Sequence, residues 1–222
     1  MSGWHLILAS QSPRRRELLR LLGLPFEVTV SDVRETPRTD ETPPELVTRL
    51  SQAKARNAEL NGRQGALVIA CDTIVALRDG PAETQILGKP RDASEGRTML
   101  RRLRGRSHVV YSAVTVETPG RETTTDLVET ELIMRPYTDA EIQAYVASGD
   151  PLDKAGAYAI QHEGFDPVER IQGCYASVMG LPLCHLARRL REWGIDLDTD
   201  VPTACQTHTD HVCHVYREIV SP

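Results

Sequence analysis

No stretch of this chain is apolar for long enough to cross a bilayer. Leu6 to Ala9 is too short for a secretion signal and has no basic leader. A soluble, cytoplasmic protein with no membrane partner is expected. The sequence also lacks an excess of positive charge: 26 Lys and Arg against 31 Asp and Glu give a formal net charge of −5 and a pI near 5.8. Its basic residues form local clusters, which disfavours a nucleic-acid polymer as partner and suits a small anionic ligand. Cysteine is scarce and odd in number. Cys71, Cys174, Cys184, Cys205 and Cys213 read as reduced thiols, the first three as core packing, and not as a disulfide framework. Internal repeats and clear linkers are missing too, so 222 residues, 40% apolar and 26% charged, make one large domain or two intimate lobes that need no staples.

Against this background one charge cluster stands out. Arg14, Arg15 and Arg16 open a helix directly after an apolar strand and the turn Ser10-Gln11-Ser12-Pro13. A helix N-terminus carries unpaired N–H groups and positive dipole charge, so it normally recruits Asp or Glu. Ser12 as N-cap and Pro13 at the first helical position fix the turn where the arginines collect, and a phosphate chain docked there satisfies both N–H groups and guanidinium groups.

The remaining elements alternate as in an α/β fold. Trp4 to Ala9 reads as a buried strand, Pro13 to Leu22 as a helix closed by Gly23, and Phe26 to Val30 as a strand of period-two alternation. An acid- and proline-rich loop, Ser31 to Thr42, leads to the capping box Thr42-Pro43-Pro44-Glu45 and a helix to about Leu60, with Lys54 on the apolar stripe of Leu46, Val47 and Leu50. Ala66 to Cys71 reads as a strand covered on both faces that stops at Asp72-Thr73. Ile74 to Leu77 and Gln85 to Leu87 form a hairpin around Asp79-Gly80-Pro81 that delivers Gly88-Lys89-Pro90. A helix capped by Asp92 and Glu95 runs to about Arg104. Strands His108 to Glu117 and Asp126 to Met134 follow, joined around Pro119-Gly120, then helices from Thr138 to Gly149 and from Pro182 to Trp193. From about residue 196 the apolar periodicity is lost, and residues 196–222 read as an extended or disordered tail after a domain of residues 1–195.

The chemistry gathers at element ends. Asp72, where a buried strand stops, can hold a cation, take a proton from water, or serve as an ordinary turn aspartate. Glu35 offers a second oxygen from the acidic loop. Lys54 must snorkel to water or find an anion. Lys89 stands between a glycine that admits a ligand and a proline that stiffens the chain. Together Arg14, Arg15, Lys54 and Lys89 suit a polyphosphate, and Asp72 with Glu35 suits a metal bridging its oxygens.

Leu8-Ala9-Ser10-Gln11-Ser12-Pro13-Arg14-Arg15, Ala70-Cys71-Asp72-Thr73, Gly88-Lys89-Pro90-Arg91-Asp92, Asp153 to Gln161 and Val178-Met179-Gly180-Leu181-Pro182 resemble, in order and spacing, the signature blocks of the Maf family of nucleoside triphosphate pyrophosphatases. The resemblance implies a mixed α/β fold, an elongated sheet flanked by helices, with two lobes around a central nucleotide-binding cleft. It implies hydrolysis of a nucleoside triphosphate to monophosphate and pyrophosphate with Mg²⁺ or Mn²⁺. Arg14, Thr73 and Gln161 are similar to the dTTP/UTP branch and not to the branch associated with 7-methyl-GTP. In that family pattern Asp72 is the proton acceptor and Arg14, Thr73 and Gln161 bear on substrate choice. Ser10, Ser12, Arg14, Arg15, Lys54 and Lys89 then hold the triphosphate, and Glu35 and Asp72 the metal. A homodimer is left open.

Two departures qualify the pattern. His162-Glu163-Gly164 follows Gln161 where many relatives place a glycine at once, which bears on base preference. The tail carries Cys205, His208, Asp210, His211, Cys213 and His214, either a zinc-binding group or a His-rich disordered segment. A rival functional reading is a nucleotide sensor that binds without hydrolysis and inhibits septum formation through a partner; Asp72 with Glu35 favours the enzyme, since a sensor needs no water-activating carboxylate.

Overall fold

Strand β3 (Ala66–Arg78) organises the molecule. The computed structural model describes residues 4–60, 62, 65–80, 84–118 and 123–220. The sequence predicts that this strand stops at Asp72-Thr73; it runs through them. Both residues keep their ladder positions, Asp72 opposite Ala113 and Thr73 opposite Ser112, and only their side chains interrupt the apolar run. Strand β5 (Ser107–Glu117) occupies one edge of β3, antiparallel, from Val68↔Glu117 to Ala76↔Val109. The other edge is shared. Strand β1 (His5–Ala9) pairs with it in parallel from His5↔Ala66 to Leu8↔Ile69, and β4 (Thr84–Leu87) antiparallel from Val75↔Leu87 to Arg78↔Thr84. Between the two ladders, residues 70–74 of β3 have no partner strand on that edge among the described residues.

The sheet completes as β2-β1-β3-β5-β6-β7, with β2 (Phe26–Thr29), β6 (Thr123–Met134) and β7 (Val168–Gln172), and with β4 beside β3. It is a mixed seven-stranded sheet flanked by helices, as expected. The expected alternation of Phe26 to Val30 does not produce a buried face: β2 is an edge strand, and Val28 and Val30 are 44% and 46% exposed. The β3–β4 and β5–β6 hairpins form, while Pro81 of the first expected turn and Pro119-Gly120 of the second lie outside the described residues.

Period-two geometry sends alternate β3 side chains to opposite faces. Val68, Ala70, Ile74 and Ala76 face helix α2 (Pro43–Arg56), whose Leu46, Val47 and Leu50 pack on Ile74, Ala76, Val109, Tyr111 and Ala113. This helix ends at Asn57, short of Leu60, where the Asn57 amide bonds back to the Ala53 carbonyl at 2.8 Å. Leu67, Ile69, Cys71, Val75 and Leu77 face the larger core, built with α1 (Pro13–Arg20), α3 (Ala93–Leu103), α4 (Asp139–Ala147), α5 (Tyr175–Met179) and α6 (Leu183–Glu192). Cys71, Cys174 and Cys184 are buried, as read from the sequence.

Caps follow the sequence closely. Ser12 Oγ accepts from Arg15 N at 3.4 Å, Asp92 accepts from the Ser94 and Glu95 amides, and Thr138 with Glu141 makes a reciprocal box. The segment after residue 195 is not extended. It folds into α7 (Val201–Thr209), started by Asp200 and Pro202, and α8 (Tyr216–Val220). Its apolar residues are too few for a periodic stripe, yet Val201 and Ile219 insert into the larger core and Cys205, Val215 and Tyr216 pack against it.

Candidate functional site

The unpaired stretch of β3 is the floor of a cleft of about 960 Å³. Ser10, Ser12, Arg14, Arg15, Glu35, Lys54, Asp72, Thr73, Lys89 and Gln161, drawn from distant parts of the chain, all line it. Arg16 does not join them; its guanidinium turns to the Gln11 carbonyl at 3.5 Å. The open-sheet rule holds with a change of strand: the carboxyl end that abuts the site belongs to β1, and Asp72 sits in mid-strand beside it.

On the α2 side of β3, Asp72 points to Lys54. The Lys54 ammonium donates to Asp72 Oδ1 at 2.6 Å and Glu35 Oε1 at 2.5 Å, so one cation bridges both carboxylates. Lys54 therefore finds an anion and does not snorkel; its side chain is 12% exposed. Burial raises the Asp72 pKa above the ordinary carboxylate value, and the nearby Glu35 charge adds to this, against the opposing pull of Lys54 and Arg15. Glu35 is also pushed up by partial burial, but hydrogen bonding and charge from Lys54, with Lys89 and Arg15, more than offset this and leave it lowered.

On the opposite side, Thr73 belongs to a hydrogen-bonded scaffold around Arg15. Arg15 donates through Nε to the Gly180 carbonyl at 2.8 Å and through its terminal nitrogens to Ser10 Oγ at 3.3 Å and Thr73 Oγ1 at 3.4 Å. Thr73 Oγ1 meets Ser112 Oγ at 2.8 Å, and Ser112 in turn donates to the Ser177 carbonyl at 2.7 Å. Gly180 has φ +114°, and a Cβ there would stand 3.3 Å from Arg15 Nε, so glycine is needed both for the backbone and for the approach.

The rim comes from the segment after α4. Arg14 reaches across to Asp153 at 3.7 Å. Lys154 is buried and donates to the Asp150 carbonyl, Asp150 Oδ1 and Asp153 Oδ1 at 2.6, 2.9 and 2.6 Å, which uses all three of its protons and fixes this loop. Sequence reasoning missed Asp153, Lys154, Ser112 and the Gly180 carbonyl as parts of the site, although the Asp153-Lys154 and Gly180 motifs were visible. After Gln161 the chain turns away. The His162 ring packs on Tyr145 and its Nδ1 accepts from Phe165 N at 3.0 Å, so His162 does not line the cleft.

Among the described residues no three His, Cys, Asp or Glu side chains come together as ligands for one metal ion, in the cleft or in the His/Cys-rich tail. Glu35 and Asp72 form instead a two-carboxylate pair around an ammonium, a hard oxygen set that fits a cation drawing its remaining ligands from water and phosphate oxygens, as Mg²⁺ does.

The model of the family described as Maf-like protein matches residues 5–193. Curated relatives include proteins named dTTP/UTP pyrophosphatase from Salinibacter ruber, 50% identical over 86% of this chain and 92% of that protein, and from Dehalococcoides mccartyi, 44% identical over 85% and 82%. A relative of the same name from Bacillus cereus is 44% identical over 86% of this chain and 97% of its own. Among solved structures, a nucleoside-triphosphatase / dITP/XTP pyrophosphatase from Mycobacterium abscessus aligns at TM-score 0.37 and 17% identity over 60% of this chain and 75% of that one, too distant to weigh. With its signature blocks converging on one cleft and the family match spanning residues 5–193, the chain belongs to the Maf family.

Proposed function

We propose that this protein hydrolyses nucleoside triphosphates, dTTP and UTP foremost and modified pyrimidine nucleotides among them, to the monophosphate and pyrophosphate. The names of the relatives support the reaction class. The observation that carries the reading is the buried Asp72 at the centre of the strand gap, hydrogen-bonded to Lys54, with Arg15 behind it, in a cleft whose volume suits a nucleotide.

In this reading Asp72 takes a proton from a water molecule whose oxygen attacks the α-phosphorus. The bond to the bridging oxygen breaks and pyrophosphate leaves. The ion pairs of the free cleft are self-neutralising, Lys54 with Glu35 and Asp72, Arg14 with Asp153. Substrate phosphates exchange into these pairs, so that Arg14, Lys54 and Lys89 meet the charge that builds on the leaving group. Arg15, held by Gly180, Ser10 and Thr73, is pre-aligned for phosphate. Thr73 steadies Arg15, and Gln161, with both a donor and an acceptor, reads the pyrimidine edge beside Arg14. Glu35 and Asp72 would hold a divalent cation, Mg²⁺ or Mn²⁺, which when bound supplies charge to the phosphate oxygens and acidifies water. The reaction belongs to nucleotide-pool maintenance in the cytoplasm, and no helix among the described residues is long and apolar enough to cross a membrane.

Pyrophosphate release from a panel of common and modified nucleoside triphosphates, with Mg²⁺ or Mn²⁺ and an Asp72→Asn control, tests this. Monophosphate and pyrophosphate from dTTP and UTP, lost in the control, are expected. Activity confined to purines would overturn the specificity assignment, and tight binding without turnover would replace the enzyme with the sensor.

A further inference from the structure

Four of the five cysteines share one small pocket separate from the cleft. Cys174 caps α5 and Cys184 lies in α6; Cys205 in α7 and Cys213 just before α8 come from the C-terminal segment beyond the family match. All four line the same apolar cavity of about 20 Å³, together with Tyr175 and His211, whose rings stack at 4.8 Å and hold the segment's loop to α5. That volume admits about one water. All four are free thiols. Each pair of the four is close enough to interact electrostatically. Burial pushes Cys184 and Cys205 up to about 12 and Cys174 up to about 11, and the neighbouring thiols add to each. Within the set, Cys213 is the thiol that raises Cys174, whereas Cys205 has the largest thiol influence on Cys184. Cys174 and Cys184 are buried, while Cys205 and Cys213 are half-buried, and only Cys213 lies between exposed neighbours, Val212 and His214.

We propose that this pocket is a thiol–disulfide site in which Cys213 reacts with a low-molecular-weight disulfide and resolves onto Cys174, tying the C-terminal segment to α5. The Cys213 thiolate attacks one sulfur of the small disulfide, forming a mixed disulfide and expelling one small thiolate, which takes up the proton Cys213 lost. Cys174 then gives up its proton, attacks the Cys213 sulfur and expels the second small thiolate. Two protein thiols are oxidised and one small disulfide is reduced to two small thiols. Of the two half-buried thiols, Cys213 is the one flanked by exposed residues, which makes it the point of entry, and the resolving Cys174 lines the same small pocket. The location has a consequence at the other end of α5, because the Gly180 carbonyl that caps this helix anchors Arg15. A tether on Cys174 fastens the helix from which that anchor hangs.

The test is incubation of the full-length protein with glutathione disulfide in mildly alkaline buffer, alkylation of remaining thiols, and mapping of non-reduced peptides by mass spectrometry. The expected product is a Cys174–Cys213 link, reversed by dithiothreitol, with Tm raised by roughly 5–10 °C for the long loop it closes. Cys213→Ser should abolish the link and Cys205→Ser should preserve it. A mixed disulfide that stops at Cys213, a Cys205–Cys213 link, or four unreactive thiols would each overturn the proposal. So would co-purified zinc that shields the thiols until a chelator removes it.

Discussion

Asp72 and Thr73 are consecutive on one strand and line one cleft, yet their surroundings differ in kind. Asp72 faces α2 and meets only charge, an ammonium shared with a second carboxylate, with its own pKa raised by burial. Thr73 faces the larger core and meets a chain of neutral hydroxyls and carbonyls, from Ser177 through Ser112, that holds the Arg15 guanidinium together with Gly180. A buried carboxylate that shares its hydrogen-bonded counter-charge with a second carboxylate is poised to exchange partners and protons. A saturated hydrogen-bond chain holds still. One β-strand thus creates a division of labour through its alternation: chemistry on one face, alignment on the other.

The largest expected effect breaks the charged face. Asp72→Asn keeps the volume and removes the base, and turnover of dTTP should fall by ~10³-fold or more with KM changed little. Its Tm should be no lower than that of the wild type, since burial penalises the charged Asp72 carboxylate and Lys54 keeps Glu35 as its counter-charge. Thermal melts and steady-state kinetics on the same preparation check both halves. Turnover within a few-fold of wild type would remove Asp72 from the mechanism.

The neutral face should reveal itself through pH. His108 on β5 is buried, its Nε2 lies 2.8 Å from the Tyr158 hydroxyl, and burial lowers its pKa from 6.5 to about 4. Between those values the unfolded chain binds a proton that the folded chain refuses. Stability is therefore full above about 6.5 and is lost as pH falls toward 4, by on the order of 3 kcal/mol. Chemical denaturation across that range should show the slope, and His108→Gln should flatten it. An unchanged slope in the variant would mean that other groups carry the acid sensitivity.

Much of this was legible in the sequence because local rules write it there. Ser12-Pro13 and the two Thr/Glu capping boxes mark their helix starts, and the arginines after Pro13 point to the cleft that Arg14 and Arg15 line, while Arg16 turns aside. The run Ala66 to Cys71 was legible as a strand, but its continuation through Asp72 was not: hydropathy cannot separate a strand that ends from one whose side chains turn polar while the ladder goes on. The β1/β4 gap was equally hidden, since it depends on where two other strands stop along the same edge. The C-terminal helices escaped for a related reason, as scattered apolar residues that dock individually leave no period to read.

Least legible was the backbone carbonyl of Gly180, since a carbonyl carries no residue signature. Gly180→Ala adds a methyl 3.3 Å from Arg15 Nε at a φ that L-residues avoid, costing about 1–3 kcal/mol of backbone strain and pushing the guanidinium off its anchor. KM should rise roughly tenfold with kcat far less affected, the reverse of Asp72→Asn. A matching fall in kcat would place Arg15 in the chemistry and dissolve the proposed division.

The mildest test removes a single hydroxyl. Thr73→Val is nearly isosteric, so the strand and its packing survive, but Ser112 loses its Thr73 contact and Arg15 loses one of its three partners. Because Nε still holds Gly180 and one terminal nitrogen still reaches Ser10, the guanidinium should loosen and not leave, and KM for dTTP and UTP should rise roughly threefold to tenfold at nearly constant kcat. The relative preference among nucleotides separates two routes by which Thr73 could matter. A uniform rise across pyrimidine and purine triphosphates follows if Thr73 works only by steadying a phosphate-binding arginine. A rise confined to pyrimidines would require Thr73 to touch the base or sugar itself, and the neutral face would then read substrate identity as well as hold it.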